Sequence, residues 1–451
     1  MSAGSRRPPG PPGATRGAAN GAARPPRGDP DGPGREAAEN RSENRRRERA
    51  VPGPRGATRG DPGSPAAGGD TLEIDIASLA AGGDGVGRDA GGRVTFVPRA
   101  APGDRVRVRI VHATSSFARG ELAEIIAPGA ARAEPPCPHF VAGCGGCQWQ
   151  HVARAEQLAA KQAIVAGALR KLTGVRIHPI ADPAPALGWR RRARFHIERG
   201  RAGLYALGSH RVLPIDHCPQ LEPALDAAYA AVAAATPPDG ELALVLAHDG
   251  RIAVATERAW RGAARLVGRA GIAGVLAGDV AHGDVVLEIE PGLAGGPLDF
   301  AQASRAGNAA LVAQARAALG PGPGRLLELH AGAGNFTRGF AADGWDVTPT
   351  DAAAPPSPPT GFVLGPARDV LARLAGSWDA IALDPPRTGT ADAIEGILRA
   401  GPRTIVYVSC DVATLARDAA QLTGYAAMDA WPLDIMPQTA HVEVVMRLQH
   451  T

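Results

Sequence analysis

The pattern of apolar and polar positions changes three times along the chain. Residues 1 to about 69 carry hardly an apolar side chain larger than alanine and are filled with Gly, Pro, Ala and Arg, so they have nothing from which to build a core. They read as a disordered tail. From Thr71 short alternating segments begin, TLEIDIASL, RVTFVPRA, PGDRVRVRIVHA and GELAEIIAP, separated by glycine- and proline-bearing turns. Alternation puts successive side chains on opposite faces, and four or five such strands in about 60 residues predict a small β-barrel of the OB type. A helical segment from about Ala155 to Leu172 comes after the run CPHFVAGCGGCQ. Strand-like WRRRARFHIERG, AGLYAL and HRVLPIDHC come next, then an alanine-rich helix among apolar strands such as ELALVLAH and DVVLEIEPG. This stretch reads as α/β.

From Pro321 the alternation is cleaner. RLLELHA, DVTPTD, GFVLG, DAIALD, TIVYVSC, AAMDAWPLD and HVEVVMRL are strand-like, with helical segments between several of them. Buried apolar runs alternating with helices predict a mostly parallel, doubly wound sheet, in which ligands bind beyond the carboxyl ends of the strands. The chain is therefore an α/β multidomain protein: a tail over 1–69, a barrel over 70–128, a central α/β domain over 129–315 and a Rossmann-like domain over 316–451.

Composition narrows the class. The 451 residues suffice for about three domains. No basic start with an apolar h-region and no run of about 18 apolar residues occurs, so the expectation is a soluble, cytoplasmic protein with no membrane partner. The net charge is +4, and Lys161 and Lys171 are the only lysines among many arginines, a bias of composition that gives net charge little weight for nucleic acid. Three local clusters count for more: Arg45, Arg46, Arg47 and Arg49 in the tail, Arg105, Arg107 and Arg109 on one strand face, and Arg190, Arg191, Arg192 and Arg194. The first two suit an RNA backbone and are at least equally ordinary solvated segments; the third is the densest basic stretch of the folded part.

The five cysteines divide four and one. Cys137, Cys144 and Cys147 form C-x6-C-x2-C with glycines between, a spacing that lets three thiolates converge on one ion or cluster, and Cys218 can close the set. Zinc and iron–sulfur both accept four thiolates. Cys410 stands alone in IVYVSCDVATLARD, where an apolar strand gives way to a helix whose N-terminus would favour thiolate. A lone cysteine is more often a buried small hydrophobe; its place at a strand end argues for a nucleophile.

Three further motifs share that edge. LLELHAGAGNF ends a strand in a turn at Gly332 and Gly334, where the backbone can approach a ligand, and Asp351 at the end of the next strand is placed to bond ribose hydroxyls. ALDPPRTG gives Asp384 a turn stiffened by two prolines, and a plain strand-ending turn is its bland alternative. Glu443 interrupts an apolar strand, either facing solvent or held in a cleft as a general base.

In order and spacing these motifs resemble an RNA uracil-5 methyltransferase that uses S-adenosylmethionine, of the ribosomal type with a TRAM barrel and an iron–sulfur cluster. The resemblance runs from about residue 70 to the end through FVPRAAPGDRV, CGGCQWQH with the later Cys218, DFAQ, HAGAGNF, DPPRTG, YVSC with TLARD after it, and PQTAHVEVV. It implies that Cys410 is the nucleophile at carbon 6 of uracil, Glu443 the base that removes the proton at carbon 5, and Asp384 an orienting group. It implies cofactor contacts from Gln302, His330, Gly332, Gly334, Asn335, Asp351 and Asp384, and a 4Fe-4S cluster on Cys137, Cys144, Cys147 and Cys218, with zinc as the alternative. RNA is the implied partner, 23S ribosomal RNA first and transfer RNA second, with no obligate protein partner.

The chain departs from the family pattern in four places. His330 replaces an aromatic, Ala331 a cysteine, and Asp411 and Val412 an asparagine and proline. Between Asp351 and Gly361 the nine residues AAAPPSPPT stand where relatives carry a helix, and Pro366 falls near the place of an acidic residue by the adenine. The rival function is thus a non-catalytic RNA-binding iron–sulfur protein with a degraded cofactor site. Amino-group methylation is a second rival, disfavoured because it needs no cysteine and because Arg387 comes after the two prolines where an aromatic is usual.

Overall fold

The computed structural model describes residues 71–374 and 376–451. The expected tail and its arginine cluster lie outside the described residues.

Five strands, β1 (Thr71–Leu79), β2 (Gly85–Arg88), β3 (Val94–Val97), β4 (Arg105–Ala113) and β5 (Phe117–Ala127), close into a barrel in the order β1-β2-β3-β5-β4. Alternation explains it: Ile74, Ile76, Val106, Val108 and Ile110 turn inward to one core, and Arg105, Arg107 and Arg109 turn outward together. That outward row is not a free basic face. Arg105 and Arg107 bond Glu73 at 2.9 and 3.2 Å, and Arg107 and Arg109 also pair with Glu124 and Glu121 on the neighbouring strand. Its charge is largely spent within the barrel.

Asp104, fully buried just before β4, ties the barrel to the segment after β5. Its carboxylate accepts from the Ala101 and Gly129 amides at 2.6 and 2.9 Å and from the Arg132 guanidinium at 2.6 Å. Asp104→Ala strands a guanidinium and two amides in a dry site, so its unfolding free energy should fall by about 3–5 kcal/mol. Urea titration checks this, and an unchanged midpoint would show that the network contributes nothing.

The chain continues through α1 (Pro138–Val141), α2 (Arg154–Leu169) and β6 (Arg176–Ile177) into β7 (Arg192–Glu198), β8 (Arg201–Tyr205), β9 (Val212–Pro214), α3 (Pro223–Ala234), β10 (Gly240–Leu246), β11 (Ile252–Thr256), β12 (Ile272–Ala277) and β13 (Val280–Gly283). Seven of these strands make one sheet, β13-β12-β11-β10-β7-β8-β9, with Leu225, Tyr229 and Val232 of α3 in its core with Phe195, Leu242 and Leu244. β14 (Leu287–Glu290) and β15 (Leu293–Gly295) form a hairpin.

The last sheet holds α4 (Arg305–Leu319), β16 (Gly324–Leu329), α5 (Thr337–Ala342), β17 (Trp345–Asp351), β18 (Val363–Leu364), α6 (Ala367–Arg373), β19 (Ala380–Leu383), α7 (Ile394–Ala400), β20 (Thr404–Ser409), α8 (Val412–Gln421), β21 (Tyr425–Leu433) and β22 (Glu443–His450). Its order is β18-β17-β16-β19-β20-β22-β21-β6, parallel from β18 to β20, with β22 antiparallel to both β20 and β21. Apolar clusters cover both faces, which is why these strands read as continuous apolar runs. All seven strand-like segments seen in the sequence are present. An eighth, β6, and the helix α2 before it come from upstream: β6 pairs with β21, and Val165 and Leu169 of α2 enter the core of this sheet. Two residues are too few to announce a strand. Among the described residues no helix is long and apolar enough to cross a membrane.

Candidate active site

Three neighbouring strands set the chemistry. Asp384 directly follows β19, Cys410 directly follows β20, and Glu443 opens β22. Register does the rest: Leu383 faces Tyr407, and Ser409 faces Val444, so the antiparallel return of β22 brings Glu443 to the turn that carries Cys410. The lone cysteine and both carboxylates of the sequence reading thus converge at the carboxyl edge of the parallel strands.

The electrostatics are those of a dry, acidic pocket. Glu443 is 4% exposed, and burial, with the nearby Asp384 charge second, pushes its carboxyl up to about 8. Loss of solvent alone lifts Asp384 to about 7. Cys410 is half-buried rather than exposed, and burial, then the charges of Glu443 and Asp384, hold its thiol up at about 12. The expectation that a helix N-terminus would favour its thiolate is therefore outweighed, and the amides of that terminus are in part taken already. Asp411 caps α8, accepting from the Ala413 and Thr414 amides, each at 3.0 Å. An aspartate caps as well as an asparagine, so this departure leaves the helix start intact.

One group works against the acidity. Arg387, three residues after Asp384 on the Asp-Pro-Pro turn, lies close enough to Cys410 and Glu443 for its charge to lower both the thiol and the carboxyl. Its guanidinium also lies 3.3 Å from Nε2 of His441, which burial, the leading cause, keeps neutral by lowering it to about 4 and which can therefore accept. In the sequence Arg387 served only to exclude a rival reaction, and His441 had no role. The signal was present in DPPRTG and AHVE, but only the fold shows that the two motifs meet. The TLARD motif proves to be support. Fully buried Asp418 accepts from Tyr407 Oη and the Thr390 amide, both at 2.8 Å, and Arg417 donates to the Thr388 carbonyl, so α8 pins the turn carrying Arg387.

Beside this trio lies the glycine turn between β16 and α5. Gly332 and Gly334 have φ of +55° and +88°; a Cβ on Gly332 would meet open space, whereas one on Gly334 would press on Pro359 at 3.3 Å. His330 holds φ +60° without being glycine, a strained conformation of the kind found at ligand sites, and its buried Nε2 has no partner among the described residues. Asp351 braces the turn, accepting from the Gly332 amide at 2.9 Å and the Ala353 amide at 3.1 Å. Gln302 and Asn335 are linked through a buried chain that the sequence did not announce. Arg191, 1% exposed, donates to the Gln302 carbonyl at 3.0 Å and to Glu290; Glu290 accepts from Asn308; and Asn308 pairs amide to amide with Asn335. Arg191 is thus an internal tie, not part of a basic surface. The helix missing after Asp351 in sequence is missing here too: irregular turns run from β17 to β18, and Pro359 packs on Gly334.

The other four cysteines line one cavity of about 150 Å³, together with Phe140, Gln150 and Arg190. Burial pushes Cys147 up to about 12 and Cys218 to about 11. Two guanidiniums flank them. Arg99 from the barrel donates to the Phe140 and Cys144 carbonyls, both at 2.7 Å, and Arg190 lies close enough to Cys147 and Cys218 to lower both thiols. Next to the cavity, His139 and His217 share Oδ1 of Asp216 at 2.7 and 2.9 Å, a group of three potential metal donors that the sequence reading overlooked.

The TRAM domain family matches residues 65–123, across the barrel. An RNA methyltransferase of Thermosynechococcus vestitus, itself uncharacterized, is 33% identical over 84% of this chain and 98% of its own length. The 23S rRNA (uracil(1939)-C(5))-methyltransferase of Pectobacterium atrosepticum is 32% identical over 84% of this chain and 94% of its own. In fold, the Pyrococcus abyssi tRNA (uracil-54, C5)-methyltransferase, solved with S-adenosyl-L-homocysteine, superposes with a TM-score of 0.66 over 84% of this chain and all of its own, at 19% identity. With relatives above 30% identity matched over most of both chains and a TRAM barrel in front, the chain belongs to the RNA uracil-5 methyltransferase family.

Proposed function

We propose that the protein is a cytoplasmic enzyme that transfers a methyl group from S-adenosylmethionine to carbon 5 of a uridine in RNA, with 23S ribosomal RNA as substrate, through a covalent adduct at Cys410. The observation that carries this reading is the meeting of Cys410, Glu443, Asp384 and Arg387 at one sheet edge beside the Gly332–Gly334 turn. Carbon 5 of uracil is a poor nucleophile. Addition of the Cys410 thiolate to carbon 6 makes carbon 5 enolate-like, and covalent catalysis thereby divides one hard step into easier ones. Arg387 supplies the positive charge that a thiolate needs among two carboxyls, and Asp384 orients the base. Glu443 then removes the proton at carbon 5, the double bond reforms, and the sulfur leaves. The uridine has to leave its stack to reach so enclosed a thiol.

S-adenosylmethionine supplies the electrophilic methyl. The residues present fit it: open space above Gly332, the unpartnered Nε2 of His330, and the Asp351 carboxylate at the end of the second strand, with Gln302, Asn335 and Asp384 completing the set. Proline-rich residues close on Gly334 in place of a helix.

For the four cysteines the reading is a 4Fe-4S cluster. A tetrahedral zinc site with bonds of about 2.3 Å requires sulfurs about 3.8 Å apart. Among the described residues, the group of three metal donors lying mutually within 4.8 Å is His139, Asp216 and His217, not the thiols, and the cysteine cavity has room for more than one ion. Arg99 and Arg190 offset the charge of an anionic cluster. The division proposed is barrel 70–128, cluster domain 129–315 and methyltransferase domain 316–451, with α2, β6 and most of α4 from before residue 316 packing into the last sheet.

Incubation of purified protein with 23S RNA and S-adenosylmethionine should yield 5-methyluridine by nucleoside mass spectrometry, with half-saturation at roughly 1–100 μM cofactor. Protein that binds no cofactor at high micromolar concentration, with or without RNA, would leave the RNA-binding rival in its place.

A further inference from the structure

The segment between β21 and β22 leads directly into Glu443, and several of its buried polar groups are held by α2 and by the loop after Cys147. Asp434, fully buried, accepts from Lys161 Nζ at 2.6 Å and from Arg154, both on α2, and Lys161 also donates to the Met436 carbonyl at 3.2 Å. Gln438 is the centre of the arrangement. Its carbonyl accepts from the Gln148 and Trp149 amides at 3.1 and 3.0 Å; its side-chain oxygen accepts from Gln157 at 2.9 Å; and its amide donates back to Gln157 at 3.2 Å. Gln148 Oε1 lies 3.4 Å from the Ala440 amide. Gln438 has φ +65°, a conformation that costs energy in a non-glycine residue and persists where surroundings impose it.

The cysteine loop imposes it. Gln148 and Trp149 directly follow Cys147, and the Trp149 indole is fixed in turn by the Gly83 carbonyl of the barrel at 3.0 Å. From Cys147 to Glu443 the path is thus short: one peptide to Gln148, two hydrogen bonds to Gln438, and five residues to the carboxylate, past the His441 that meets Arg387.

We propose that Gln438 is a positioning residue through which the occupied four-cysteine site fixes the place of Glu443, so that loss of the metal group impairs proton removal at carbon 5 more than any earlier step. The inference rests on the reading that those cysteines hold a metal group. It has a chemical signature. When Glu443 is displaced, the sulfur still bonds carbon 6 and the methyl still arrives at carbon 5. The proton on carbon 5 is then not taken, the electron pair is not released to reform the double bond, and the Cys410 thiolate does not depart. Methylated RNA remains bonded to the protein.

Gln438→Ala keeps the main-chain carbonyl that accepts from Gln148 and Trp149 but loses the side-chain oxygen anchored by Gln157, so the turn should loosen and a covalent complex with ordinary uridine RNA should accumulate on a denaturing gel, with kcat lowered roughly 10- to 100-fold and KM for RNA and cofactor within about twofold of wild type. Gln438→Asn, which keeps an amide and tolerates this backbone, should fall between. In a Glu443→Gln background, Gln438→Ala should add little, because the group it positions is already gone. Wild-type protein stripped by an anaerobic chelator should accumulate the same complex. If stripped protein still releases product at the wild-type rate, the coupling is wrong. If Gln438→Ala loses activity through raised KM with no trapped complex, the positioning role is wrong. Protein that holds no metal as purified yet traps complex as Gln438→Ala would refute the metal reading and the coupling while sparing the positioning role of Gln438.

Discussion

Cys410→Ala should abolish methylation, with a rate loss of roughly 10⁴-fold or more, because no other side chain at this edge can add to carbon 6 and the step it replaces is the one that makes carbon 5 reactive. The sharper measurement is trapping. RNA carrying 5-fluorouridine at the target keeps fluorine where a proton would leave, so wild-type protein should form a stable adduct with it and the alanine variant none. Adduct formed by the variant would remove Cys410 from the reaction. Folding should be unaffected, since Cys410 is only half-buried and its backbone position is set by the Asp411 cap.

Glu443→Gln is expected to have the second largest effect, roughly 10³-fold on turnover, and to stop the enzyme with RNA attached. Its pH behaviour comes from burial. With the carboxyl held up to about 8, the base is mostly protonated at neutral pH, so the rate at which the adduct resolves in a single turnover should fall about tenfold per unit below that value. A flat profile between pH 6 and 9 would exclude Glu443 as the base. Stability should move the other way. A carboxyl whose folded value lies above its unfolded one favours folding only while protonated, so its contribution is complete below the ordinary glutamate range and is lost as pH rises through about 8. Glutamine removes that loss. The variant should melt near wild type at pH 5 and above it at pH 9, by a free energy on the order of 5 kcal/mol. A lower melting point at pH 9 would mean that the ionised carboxylate is stabilised by partners other than those named above.

Much of this was legible in the chain. Barrel strands announce themselves by alternation, because one face of each must be apolar, and the strands of the last sheet by unbroken apolar runs, because both faces are covered. Cys410, Asp384 and the glycine turn were legible because strand ends in a parallel sheet lie on one edge. Less legible were the arginines. In sequence, Arg105, Arg107 and Arg109 look available to RNA and Arg191 is one of a basic run; in space the first three face glutamates on neighbouring strands, and Arg191 is an internal donor. Charge in a sequence carries no information on which partner has consumed it.

The sequence by itself determined the order of barrel and sheets, the strand ends that carry Cys410, Asp384 and Glu443, and the family, because these depend on local periodicity and on motifs a few residues long. Only the tertiary structure decided that Arg387 and His441 meet, that Glu443 is dry enough to stay protonated near neutrality, and that the loop after Cys147 holds the segment before Glu443. Those facts turn on desolvation and on hydrogen bonds between residues up to about 290 positions apart. Both arise only when the chain has folded and water has left, and no local pattern encodes them.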